Sequence, residues 1–73
     1  MNLTQTKPDD VGVVGAINAD AKFTNRITAI GLTTGTRFQT VRNDKRMPVL
    51  IYVRETLIAL NRKDAERIEV EVG

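Results

Sequence analysis

The sequence predicts a mainly β fold: a small five-stranded barrel with one short helix after its first strand and a short helical turn before its last. Three observations carry this. Five runs of strand length, apolar or alternating, fill most of the chain from Val11 onward. Lys22–Ile30 alone has helical spacing, with Phe23, Ile27 and Ile30 at i, i+4 and i+7 on one face. And 73 residues are too few to build two packed sheets with long edges, so a curled sheet is the economical solution.

Taken in order, Lys7, Pro8, Asp9 and Asp10 form a turn, and Val11–Asn18 is an apolar run of strand length. Gly12 and Gly15 within it mark a bend, a bulge or a place where another backbone comes close. Asn18 or Asp20 supplies the oxygen that caps the helix, without the acid three positions on that would complete a capping box. Gly31 ends the helix, because glycine takes the left-handed conformation without a Cβ clash, and Thr33, Thr34, Gly35 and Thr36 make the next turn.

Arg37–Arg42 alternates, Phe38 and Thr40 to one face and Gln39 and Val41 to the other. Asn43–Pro48 is a charged loop whose proline imposes extended geometry on Met47. Val49–Val53 and Leu57–Leu60 form a hairpin around Arg54-Glu55-Thr56, which lacks the Asn-Gly or Asp-Gly pair that defines the tightest turns and leaves the turn type open. Asn61 caps a second helix of barely two turns, with Asp64 three residues on. Ile68, Val70 and Val72, alternating with Glu69 and Glu71, make a last strand with one buried and one solvated face. The sum is one SH3-like domain over residues 1–73.

A chain of this size buries only roughly 60% of its unfolded surface, which leaves little interior from which to carve a catalytic cleft. It holds no cysteine and no histidine, which removes disulfides, thiolate nucleophiles, Cys/His zinc sites and imidazole acid–base chemistry together. Threonines are plentiful but have no base to activate them, so no catalytic residue is assigned. Gly12, Gly15, Gly31 and Gly35 have neither of the spacings that cradle phosphate, so no cofactor is assigned. Asp9 with Asp10, and Glu66, Glu69 and Glu71, are acids that do not by spacing alone converge on an ion, so no metal ligand is assigned.

The polar start and the lack of any long apolar run lead us to expect a cytosolic protein, peripheral to any membrane system it serves. Charge is uneven. Lys22, Arg26, Arg37, Arg42, Lys45 and Arg46 against Asp44 give the Lys22–Arg46 segment +5 and the remainder −3. A basic centre suits an acidic protein surface, nucleic acid or an anionic membrane. Nucleic-acid binding by an SH3-like barrel is the rival reading, weakened by having only Phe23, Phe38 and Tyr52 as aromatics, two of them at core positions.

The ordered set Arg26, Ile30-Gly31-Leu32, Gly35, Pro48, Ala59-Leu60, Arg62-Lys63-Asp64-Ala65 and Ile68-Glu69-Val70 resembles the pattern of the FeoA family over nearly the whole chain. Three departures stand out: Thr34 where that family has proline, Asn43–Pro48 as a much more basic loop, and Glu55 where many members have glycine. The resemblance implies a small SH3-like accessory or regulatory protein of bacterial ferrous iron uptake. Its implied partner is FeoB, the membrane transporter with a cytosolic GTP-binding domain, and no iron ligand is implied in this chain itself. The barrel is also similar to the C-terminal domain of iron-dependent repressors, here without a helix-turn-helix domain.

On this basis the partner-binding candidates are Lys22, Asn25, Arg26 and Thr28 on the outer helix face, with Lys45 and Arg46 in the basic loop. Gly31 and Gly35 are the structural turn positions. The expected state is a monomer, or a weak homo-oligomer through exposed strand edges.

Overall fold

The computed structural model describes residues 1–18 and 20–73. Five strands, β1 (Val11–Ile17), β2 (Arg37–Arg42), β3 (Val49–Val53), β4 (Thr56–Leu60) and β5 (Ile68–Val72), form one antiparallel sheet in the order β4-β3-β2-β1-β5. Helix α1 (Ala21–Ala29) follows β1, and the single turn of α2 (Arg62–Ala65) precedes β5. The mainly β, SH3-like reading holds, with one correction. The sheet curls but does not close, so β4 and β5 remain its two edges.

Alternation decides which side of the sheet is core. Val14, Phe38, Thr40, Ile51, Val53, Ile68 and Val70 point inward and are buried, while Gln39, Tyr52 and Glu71 point out. Phe23 and Ile27 of α1 cover the inward face, and Leu60 and Ala65 complete it near α2. The glycines of β1 have separate reasons. A Cβ on Gly12 would overlap the Glu71 carbonyl oxygen, so this is the close backbone approach the sequence allowed for. Beyond it the β1–β5 register shifts between Val14 and Ile17, which is the bulge.

The helix ends in a Schellman motif. The Leu32 amide donates to the Ile27 carbonyl at 3.1 Å and the Gly31 amide to the Thr28 carbonyl at 3.0 Å, with Gly31 at φ 104°. This reverses one expectation. Ile30 continues the apolar period but sits past the last helical residue and is 42% exposed, whereas Leu32, which the period does not include, is fully buried.

Two further differences concern the ends of the chain and the hairpin. Thr56 belongs to β4, so the connection is the two-residue turn Arg54-Glu55, with φ 48° and 65°. Both central residues are therefore left-handed, as a type I′ turn requires, although neither is glycine or asparagine. At the start, Leu3–Gln5 is a 3-10 turn held by a capping box between Asn2 and Gln5. It drives Leu3 fully into the core, and Thr6 shares a buried hydroxyl hydrogen bond of 2.7 Å with Thr40. The Met1 carbonyl accepts from the Val70 amide and Asn2 bridges Glu69, so the N-terminal segment covers the β5 edge. No such cover lies on β4 among the described residues.

Candidate functional site

Helix α1 starts where Asp20 accepts a hydrogen bond from the Phe23 amide at 2.9 Å, which settles the choice between the two possible caps. With Phe23 and Ile27 turned inward, Lys22, Asn25, Arg26 and Thr28 are all exposed on the opposite side. Asn61 caps α2 in the same way, accepting from the Asp64 amide at 2.8 Å. That short helix is the hinge of the site, because it touches both parts of the candidate surface.

On one side, Arg26 donates to Asp64 at 3.0 Å. Arg26 is thus already in an ion pair, which leaves Lys22 as the cation of α1 with no ion-pair partner among the described residues. On the other side, Nη1 of the Arg62 guanidinium shares its two hydrogens among three acceptors, Asn43 Oδ1 at 2.9 Å, the Asp44 carbonyl at 2.8 Å and the Met47 carbonyl at 3.1 Å. Asn43 in turn donates through Nδ2 to the carbonyls of Thr4 and Thr6. The β2–β3 loop is therefore fastened at its root, and Lys45 and Arg46 project from it, exposed and without ion-pair partners among the described residues.

Sequence reasoning missed two participants. Arg62 was only part of a short helix, yet it is the residue that fixes the loop, and nothing local in its spacing signals three distant carbonyl and amide oxygens. Arg67 lies over the Phe23 ring, its guanidinium carbon 4.3 Å from the centroid, with Arg26 at 5.2 Å. Stacking of this kind is worth about 0.5–1 kcal/mol at exposed sites. Asp20, Lys22, Phe23, Arg26 and Arg67 together line a concave basic recess of about 410 Å³ beside the helix start.

Thr33 and Thr36 hydroxyls lie 3.0 Å apart and Thr6 bonds Thr40, so the buried Thr6, Thr36 and Thr40 have partners within the protein. No three acids gather where a metal ion would be held among the described residues, and no helix among them is long and apolar enough to cross a membrane. Of the aromatics, Phe23 and Phe38 are buried and only Tyr52 is exposed, at 42%.

The sequence model of the FeoA domain matches residues 1–72. A crystal structure of an iron uptake regulatory protein, FeoA, aligns at a TM-score of 0.95 and 25% identity, covering 100% of this chain and 97% of that one. The Stenotrophomonas maltophilia FeoA crystallised with zinc, described as a prokaryotic SH3 domain protein, aligns at 0.82 and 24% identity over 97% of this chain and 89% of its own. A manganese-dependent transcriptional repressor aligns at 0.88 and 19% identity over 100% of this chain but 41% of the repressor, a likeness of fold alone. No curated protein sequence matches the chain. A family match over all but the last residue, on an SH3-like sheet with the helix and glycine turns in place, means that the chain belongs to the FeoA domain family.

Proposed function

We propose that this chain is a cytosolic accessory protein of ferrous iron uptake that docks on a cytosolic surface of a FeoB-type transporter. The docking face is the exposed side of α1, Lys22, Asn25, Arg26 and Thr28, together with Lys45 and Arg46. The observation that carries the reading is the bracing of the β2–β3 loop by Arg62. A loop gathered around one guanidinium nitrogen presents its cations with less ordering to be lost on binding, which favours recognition over mere solvation. Family membership supplies the transport context. The role in this reading is regulatory or structural, in keeping with a family whose domain matches residues 1–72.

The test is binding of the purified cytosolic GTP-binding domain at low and high salt. Lys22→Glu with Lys45→Glu should weaken the complex about tenfold at low salt, with a smaller difference at high salt. These two lysines are preferred to Arg26, whose reversal would also place like charges against Asp64. Unchanged affinity in the double variant would refute the basic face. Tighter binding of single-stranded nucleic acid than of the transporter domain would move the assignment to the rival reading.

A further inference from the structure

The outward face of the sheet, on the side away from α1, carries a row of exposed side chains that the basic helix face does not include. The register aligns Val11 with Gln39, Gln39 with Tyr52 and Tyr52 with Leu57, so one row of side chains crosses four strands. Val11, Tyr52 and Leu57 in that row are 41%, 42% and 57% exposed. A shallow groove of about 190 Å³ lies along it, lined by Val11, Arg37, Phe38, Gln39, Tyr52 and Arg54. Both charged residues of that lining are arginines, neither is in an ion pair among the described residues, and no carboxylate lines it.

Arg54 stands at the tip of the β3–β4 hairpin, beside the groove. It sits at φ 48° in the hairpin tip, a conformation that glycine or asparagine would adopt at lower cost. The two-residue hairpin imposes positive φ on both central residues, and the first of them is an arginine that lines the groove together with Tyr52.

We propose that this groove binds an extended acidic peptide segment, with an apolar side chain packed between Val11 and Tyr52 and a neighbouring carboxylate held by Arg37 and Arg54. Charge complementarity selects the occupant: two unpaired guanidiniums, each able to take a carboxylate through two parallel hydrogen bonds, flank an apolar floor. A nucleic-acid strand would also meet the arginines, but it would have a single aromatic platform.

The experiment is selection of a random heptapeptide display library on the full chain, followed by anisotropy titration and amide-shift mapping with the best synthetic peptide. The expected result is enrichment of sequences with Asp or Glu within two residues of an aliphatic or aromatic residue, and shifts centred on Val11, Gln39 and Tyr52. Arg37→Gln with Arg54→Gln should weaken binding about tenfold, Tyr52→Ala should weaken it about threefold or more, and the milder Lys22→Gln with Lys45→Gln should change it by about twofold at most. Circular dichroism establishes that each variant remains folded, and Arg37→Lys with Arg54→Lys provides a milder pair that keeps the charge and loses the paired hydrogen bonds. Absence of enrichment, enrichment without acids, shifts confined to α1, an unchanged dissociation constant in the Gln pair, or tighter binding of an oligo-uridine strand at the same face would each overturn the proposal. The transporter experiment reads a different face, so either can fail alone.

Discussion

At residue scale, backbone conformation decides more than side-chain contact. Glu55 holds φ 65° at the second position of the hairpin turn, where a Cβ costs about 1 kcal/mol. Glu55→Gly should therefore raise stability by up to about 1 kcal/mol, read as a higher urea midpoint at unchanged slope. Gly12 is the opposite case, since any side chain there meets the Glu71 carbonyl rather than open space. Gly12→Ala should cost about 1–3 kcal/mol and loosen the β1–β5 ladder, seen as a lower melting midpoint with faster amide exchange in β5. Gly31 has nothing within 4 Å of a built Cβ but a φ of 104°, so Gly31→Val should lose about 1–2 kcal/mol for backbone reasons alone. The sequence exposed the first glycine as a strand irregularity and the second as a helix stop. The strained turn showed only as Glu55 in a position where the resembling family has glycine, because Arg54 and Glu55 carry no turn chemistry of their own.

At the scale of elements, the strands and both helices were legible because each carries its own period and punctuation. Asp20, Gly31 and Asn61 mark ends that local hydrogen bonding fixes. What was not legible is where the chain goes after a stop. The 3.6-residue period extends to Ile30, but the helix closes one residue earlier and the Schellman geometry turns Leu32 inward to lie in the core with Ile27. Leu32→Ala should accordingly cost about 2–5 kcal/mol while Ile30→Ala costs far less, a contrast that paired denaturation curves resolve. In the following turn the Thr36 amide donates to the Thr33 carbonyl at 3.0 Å with Gly35 at φ 89°, a type II turn with Thr34 at its second position. Thr34→Pro should stabilise by about 0.4–1 kcal/mol by restricting the unfolded chain, measurable as a raised midpoint.

At the scale of the molecule, the unexpected contributor is the N-terminal segment. Nothing in Met1–Thr6 has strand or helix period, yet it places Leu3 in the core, covers the β5 edge and receives Asn43. These are long-range contacts between an aperiodic segment and elements far along the chain, so no local pattern encodes them. The same holds for the candidate surface. Its exposed cations were visible as a charge excess between Lys22 and Arg46, but their arrangement depends on α2, which pairs with α1 through Asp64 and fastens the loop through Arg62. The measurement that tests this account most directly is amide-shift mapping of the labelled chain with a transporter's cytosolic GTP-binding domain. Perturbations grouped on Lys22, Asn25, Thr28, Lys45 and Arg46 are expected, with their loss in the Lys22→Glu, Lys45→Glu variant. Perturbations absent at saturating partner, or confined to the sheet face around Val11 and Tyr52, would contradict it.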